Sequence, residues 1–172
     1  MTTQTIKVGI CGLGTVGQGV IALLSEGGDV LSNRVGGTIE LVHVATRTPK
    51  PEVDTLGARD SRDVFDVARD PDVHVLIELI GGTTVAKDLI VEALRQGKHV
   101  VTANKALLAD HGDELFALVE SKGIALRFEA AVAGGIPVIE AVKTSLAGNH
   151  VSSIAGIING TGNFILTEMA AK

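Results

Sequence analysis

Gly9-Ile10-Cys11-Gly12-Leu13-Gly14-Thr15-Val16-Gly17 is the stretch whose reading decides the fold. It holds a G-x-G-x-x-G spacing at Gly12, Gly14 and Gly17, and the flanking residues give that spacing its meaning. Ile6-Lys7-Val8-Gly9-Ile10-Cys11 is an apolar run that predicts a buried strand over residues 5–11. Val16 through Leu24 predicts an apolar-faced helix over 15–25. Strand, glycine turn and helix together set a pyrophosphate on the amino end of a helix, where unpaired N–H groups and the helix dipole favour an anion. Gly12 is expected to make the tight turn, Gly14 to let the backbone approach the phosphates, and Gly17 to let helix and strand pack closely. The alternative is an ordinary glycine turn.

Working outward, strands and helices alternate. Gly27-Gly28 ends the first helix, and residues 29–37 read as a polar connection with at most a short helical turn. The second strand is expected over 39–45, a loop over 46–52, and a short helix over 63–69 closed by Pro71. The third strand spans 73–80, broken by Gly81-Gly82. A helix over 85–96 carries Val85, Leu89, Ile90, Ala93 and Leu94 at helical spacing. A fourth strand over 99–102 is followed by a helix over 106–122, with a break near Gly112, and a fifth strand over 124–129. The fold class is therefore α/β, a doubly wound parallel sheet, complete by about residue 131. Residues 132–172 read as the start of a second, α+β domain: a small-residue loop, Pro137 opening a helix over 138–146, a strand over 151–158, the turn Asn159-Gly160-Thr161-Gly162-Asn163, and a helix over 164–169. One strand and part of a helix cannot close a core, so the sequence reads as cut short inside that domain.

Composition removes several classes. The chain has 172 residues, 45% hydrophobic, with four Phe and neither Trp nor Tyr. Val, Ile, Leu and Ala must fill the interior, as suits a parallel sheet covered on both faces. A net charge of −5 without a basic cluster argues against bulk nucleic-acid binding. No apolar run reaches membrane-spanning length, and the amino terminus lacks a secretory pattern, so a cytoplasmic protein is expected. Cys11 is alone and reads as a small buried residue, not a nucleophile. The five His show no metal-ligand spacing.

Ligands of such sheets bind beyond the carboxyl ends of the strands. The second strand ends Ala45-Thr46-Arg47, with Lys50 close behind and no carboxylate to meet a ribose 2′-hydroxyl. Arg47 offers a planar fork suited to a 2′-phosphate, so NADP is expected over NAD, with dual use open; alternatively Arg47 and Lys50 are solvated loop charges. Gly81 is expected to let the cofactor near the backbone, and Thr83 or Thr84 to cap the next helix. Glu78, inside an apolar strand, needs a partner or a raised pKa if it is buried, or else lies on a strand face near the sheet edge; it is not taken as catalytic. Lys105, at the end of Thr102-Ala103-Asn104-Lys105, faces the expected cleft. Its ammonium suits a substrate carboxylate or a carbonyl undergoing hydride transfer; alternatively Lys105 is a solvated lysine at a helix start.

These motifs make the chain resemble the amino-terminal part of homoserine dehydrogenase. Four blocks carry the resemblance: residues 9–17, residues 102–105, Glu129-Ala130-Ala131-Val132-Ala133-Gly134-Gly135-Ile136-Pro137, and residues 156–167, which include Asn159-Gly160-Thr161-Gly162-Asn163. The resemblance implies reversible, NAD(P)-dependent interconversion of L-homoserine and L-aspartate 4-semialdehyde, on the way to threonine, methionine and isoleucine. It implies that Leu13, Thr15 and Val16 line the pyrophosphate loop, that Arg47 meets the adenosine phosphate, and that Lys105 stands beside nicotinamide and substrate. It also implies a monovalent-cation site, usually sodium, at Glu129, Val132, Gly134 and Ile136. The family's substrate-holding acids and proton-transfer lysine lie in a continuation with no counterpart among these residues, so little activity is expected of the chain alone; the full-length enzyme is expected to be a homo-oligomer. Two other classes share the motif: another semialdehyde or imine reductase, and a non-enzymatic NAD(P)H-binding redox sensor.

Overall fold

The computed structural model describes residues 4–156 and 160–171. Six strands form one parallel sheet in the order β3-β2-β1-β4-β5-β6. They are β1 (Gln4–Cys11), β2 (Gly37–Ala45), β3 (Arg59–Ser61), β4 (Val75–Glu78), β5 (His99–Thr102) and β6 (Leu126–Arg127). The helices are α1 (Thr15–Glu26), α2 (Gly28–Val35), α3 (Val64–Arg69), α4 (Thr84–Arg95), α5 (Lys105–Lys122), α6 (Val138–Glu140) and α7 (Gly160–Ala170). Strand order reverses between β1 and β4, which places the ligand crevice of a doubly wound sheet beyond their carboxyl ends.

Alternation along β1 builds both halves of the core. Val8 and Ile10 join Leu13, Ile21, Leu41 and Val44 on the α1 face. Cys11 joins the opposite face, where α3, α4 and α5 contribute Val67, Leu89, Ile90, Leu94, Leu107 and Leu115. That division is what right-handed crossovers require, because α1 connects strands running one way from β1 and the later helices connect strands running the other way. Cys11 is fully buried, and burial, with Glu78 and Asp63 adding to it, pushes its thiol far above the usual range.

The local differences from expectation have physical causes. Residues 28–35 form a true helix, α2, with Asp29 in its first turn, Arg34 in its last, and Gly36 at φ 67° closing it. The three-residue β3, Arg-Asp-Ser, carries no apolar signal and was not foreseen. β4 stops at Glu78 because that carboxylate takes the Ile80 and Gly81 N–H groups, at 2.9 and 3.2 Å. Helix α4 buries Ala86 in place of Val85, which stands half exposed. Thr83 occupies the N-cap of α4, but its side chain makes no capping bond there. α5 runs unbroken through Gly112, which is buried against the Phe116 ring; the packing of Leu107 and Leu115 outweighs the ~1 kcal/mol helix cost of glycine. β6 keeps two of its expected six residues.

Beyond β6 the chain is mostly exposed. A 3₁₀ turn at Glu129–Ala131 precedes α6, which continues as a π-turn over Ala141–Ser145. The strand expected over 151–158 is absent in its described part. Residues 151–156 pair with no strand among the described residues, and Ile154 is 71% exposed. An apolar run becomes a strand only beside a partner edge, and no described edge lies there. Of the expected turn over 159–163, Asn159 lies outside the described residues, and the rest opens α7.

A charged cluster is buried between β2, β3 and the end of α3. The Asp70 carboxylate accepts from His43 Nδ1 at 2.7 Å, from the Asp72 N–H at 2.9 Å and from the Arg59 guanidinium. Lys98 Nζ donates to the carbonyls of Asp70 and Val73, at 2.5 and 2.8 Å, and its burial pushes the ammonium below its ordinary value.

Candidate functional site

The three motif glycines meet three different local demands. Gly12 has φ +104°, a left-handed conformation that favours glycine, and a Cβ there would lie 2.6 Å from the Leu79 carbonyl. At Gly17 a Cβ would lie 2.0 Å from the Gly12 carbonyl, so α1 crosses the turn at backbone distance. A Cβ at Gly14 would meet nothing within 4 Å. The first is conformation and the second packing, as the spacing predicts; the third position is open. The turn is pinned from both sides: the Gly12 N–H donates to the Ala45 carbonyl at 2.8 Å, and Gln18 Nε2 donates to the Leu13 carbonyl at 3.0 Å. The first turn of α1 carries no acidic residue, so its free N–H groups and positive dipole end stay available to an anion.

A cleft of about 660 Å³ opens at this turn. Gly12, Leu13 and Gly14 form one wall, and Leu79, Ile80, Gly81 and Val85 form another. The third wall comes from the ends of β2 and β3 and carries Arg47, Lys50 and Arg62. Arg47 is exposed and has no hydrogen-bond or ion-pair partner among the described residues. Lys50 lies 3.7 Å from Glu52. Arg62 grips both oxygens of Asp60, at 2.8 and 2.7 Å, and donates to the Thr46 carbonyl at 3.3 Å. The lining also includes Asp63, whose carboxylate accepts the Phe65 N–H, so three cations against one carboxylate leave the cleft with a positive balance that suits a nucleotide.

The cleft therefore brings together Gly12, Leu13, Gly14, Arg47 and Gly81 from the sequence reading. Thr15 and Val16 follow on the exposed first turn of α1. Lys105 is the first residue of α5, exposed, at the carboxyl end of β5 and outside the cleft lining. Asn104 caps that helix by accepting the Leu107 N–H at 3.2 Å. Arg62 escaped the sequence reading because its position depends on β3, whose three polar residues have no periodicity. Its one available signal was a second cation downstream of the Arg47 loop.

Glu129, Val132, Gly134 and Ile136 lie together on the loop entering α6. The two Glu129 oxygens accept the Ile139 and Glu140 N–H groups, both at 3.0 Å. The Ile136 carbonyl accepts from Val138 at 2.8 Å. The Val132 and Gly134 carbonyls accept no hydrogen bond among the described residues. No group of three or more His, Cys, Asp or Glu side chains suited to a metal occurs among the described residues. No described helix is long and apolar enough to cross a membrane.

Comparison with known proteins agrees with this geometry. Residues 12–129 match the homoserine dehydrogenase NAD-binding domain model, and residues 137–172 match the homoserine dehydrogenase model. The homoserine dehydrogenase of Pseudomonas aeruginosa is 53% identical over 98% of the chain, and that of Neisseria gonorrhoeae 45% identical over 98%. The chain spans 39% of the length of each. A crystal structure of homoserine dehydrogenase from Thiobacillus denitrificans superposes with a TM-score of 0.92 at 44% identity, covering 99% of this chain and 40% of that one. A sheet that reverses at a glycine turn, with that family's NAD-binding model laid over it from the turn to the edge strand, leaves one conclusion: the chain belongs to the homoserine dehydrogenase family.

Proposed function

We propose that the chain holds the nicotinamide dinucleotide, NADP in preference to NAD, for reversible oxidation of L-homoserine to L-aspartate 4-semialdehyde, a step towards threonine, methionine and isoleucine. The observation that carries the reading is the convergence, on one cleft, of an unobstructed Gly14 and a cationic wall with a free guanidinium. The bound dinucleotide supplies the hydride acceptor. The chain's own residues position and polarise. Gly12, Leu13, Gly14, Thr15, Val16 and Gly17 receive the diphosphate with backbone N–H groups, Arg47 takes the 2′-phosphate, and Gly81 lets the dinucleotide lie against the backbone. Lys105 would hold its ammonium near the substrate oxygen, where a fixed positive charge favours the alkoxide that develops as hydride adds to the semialdehyde carbon.

Arg47 provides the test. A charge-assisted hydrogen bond contributes about 1.5–3 kcal/mol, so Arg47→Ala is expected to weaken NADPH by roughly 10- to 150-fold and NADH by less than about threefold. Calorimetric titration of both nucleotides reads this directly. Equal losses, or none, remove the phosphate role.

For the loop at Glu129, Val132, Gly134 and Ile136 the proposed ligand is a sodium ion. The Val132 and Gly134 carbonyls accept no hydrogen bond among the described residues, while the Ile136 carbonyl and the Glu129 carboxylate would have to share their present donors; all four are hard oxygen donors of the kind such a cation takes. The expected outcome is a higher melting temperature in sodium chloride than in choline chloride at equal ionic strength, with the difference reduced in Glu129→Gln. A difference unchanged by the substitution assigns the salt effect elsewhere.

The remaining parts of the reading follow the family. The dinucleotide-binding domain ends at about residue 131 and the substrate domain begins at 132. The full-length enzyme works in the cytoplasm as a homo-oligomer, on a small-molecule substrate.

A further inference from the structure

Glu78 is a fully buried carboxylate that the proposed chemistry does not use. It sits at the last position of β4, in register with Cys11 of β1 on one side and Thr102 of β5 on the other. One oxygen accepts the consecutive N–H groups of Ile80 and Gly81. The other accepts the Thr102 hydroxyl at 2.6 Å. Thr102 Oγ1 in turn accepts the Asn104 N–H at 3.0 Å. Asn104 then returns to the same turn, its Nδ2 donating to the Gly82 carbonyl at 2.6 Å while its Oδ1 caps α5. Gly81 and Gly82 both have positive φ, 71° and 72°, so the turn takes a course most side chains disfavour and is held by these bonds.

The closed circuit runs from the β4 turn, through two strand ends, to the residue before Lys105. We propose that Glu78, acting through Thr102 and Asn104, is a positioning residue that locks the Gly81-Gly82 turn and the start of α5 into one receiver for the nicotinamide half of the cofactor. The inference rests on the nucleotide reading above. It adds that the two halves of the dinucleotide are held by separable parts of the chain: the adenosine half by the Gly12–Gly17 turn and the cationic wall, the nicotinamide half by the Glu78 circuit.

Cutting the circuit at Thr102 tests this. Thr102→Val removes the hydroxyl, leaves one Glu78 oxygen without a donor, and deprives the Asn104 N–H of its acceptor, while Thr102→Ser keeps the hydroxyl. The probes are NADPH and 2′,5′-ADP, the latter carrying the adenosine end alone, titrated into the whole 172-residue chain. Thr102→Val is expected to weaken NADPH about tenfold and to leave 2′,5′-ADP within about twofold, with Thr102→Ser close to the parent chain for both. Equal loss for the two probes marks a general structural defect and overturns the inference; so does no loss for either. Should Thr102→Val fail to fold, Glu78→Gln takes its place. It keeps an acceptor for the turn but presents an amide donor to Thr102, and the same split between probes is expected in weaker form, its absence counting against the inference. A parent chain that binds neither probe removes the nucleotide reading itself, a result distinct from binding that Thr102→Val leaves unchanged.

Discussion

Gly17→Ala is expected to abolish measurable NADPH binding and to lower stability by about 3 kcal/mol. The methyl group would stand 2.0 Å from the Gly12 carbonyl oxygen, a backbone atom with no rotamer to relieve the clash. Either α1 lifts from β1 or the Gly12 turn is displaced. The first opens the core around Ile10 and Ile21; the second moves the N–H groups that receive the diphosphate. Gly14→Ala is the matching control. Its φ of −73° suits any residue and its Cβ would meet nothing, so stability should stay within about 0.5 kcal/mol. Its methyl would nevertheless occupy the side from which the diphosphate approaches, and NADPH affinity should fall at least about tenfold. Urea melts and NADPH titrations of the two variants separate packing from approach. A Gly14→Ala chain that binds like the parent means that the diphosphate lies elsewhere.

Asp70→Ala is expected to cost about 1–3 kcal/mol, the usual penalty for leaving a buried donor without its acceptor. His43 is buried with it and has no second partner among the described residues, and the Arg59 guanidinium would keep only the partly exposed Asp72. The same carboxylate makes the chain acid-sensitive in a defined direction. Burial raises the Asp70 carboxyl, but the Asp72 N–H, His43 and Arg59 together outweigh it and hold the group below its ordinary value. A carboxyl lowered on folding stabilises fully above the unfolded value, about 3.9, and loses that contribution as pH falls through the folded value. The stability gap between the parent and Asp70→Asn should therefore be widest above about pH 5 and shrink as pH falls below 4. Urea melts from pH 7 down to pH 2.5 measure it. A gap constant with pH would place the effect in packing, not in charge.

What the sequence revealed tracks the distance over which each feature is encoded. The glycine turn, β1 and α1 lie within one short stretch, and the tight turn at Gly12 and the close packing at Gly17 were readable because strand, turn and helix follow without interruption. β5 was legible to the residue, bounded by Gly97 before it and the Asn104 cap after it. Arg47 was legible as the cation ending a strong strand. The His43–Asp70 bond spans 27 residues and the Lys98–Asp70 bond 28. No local pattern announces such pairs, so His43 read only as a strand residue and Lys98 drew no notice. For Glu78 a partner was one of several open readings, and the partner itself, Thr102, became visible only once β4 and β5 lay side by side. Arg62 depended on a strand too short and too polar to predict. Residues 151–156, the described part of the strand expected over 151–158, form no strand for the converse reason, since local propensity was present and a neighbouring edge among the described residues was not.

Cys11 lies on the central strand with no exposed surface, and its thiol is held protonated far beyond neutral pH. It is also the chain's sole sulfhydryl. An alkylating or disulfide reagent in solution can react only after the helix cover over that face, α3 first, lifts and admits water, so the rate of modification counts openings of the covered sheet face. Ligand occupancy would slow that clock in proportion to how far it suppresses opening. One unreactive atom, placed for packing, thus doubles as a built-in reporter of breathing at the heart of the domain, with no label to introduce and no second site to confuse the signal.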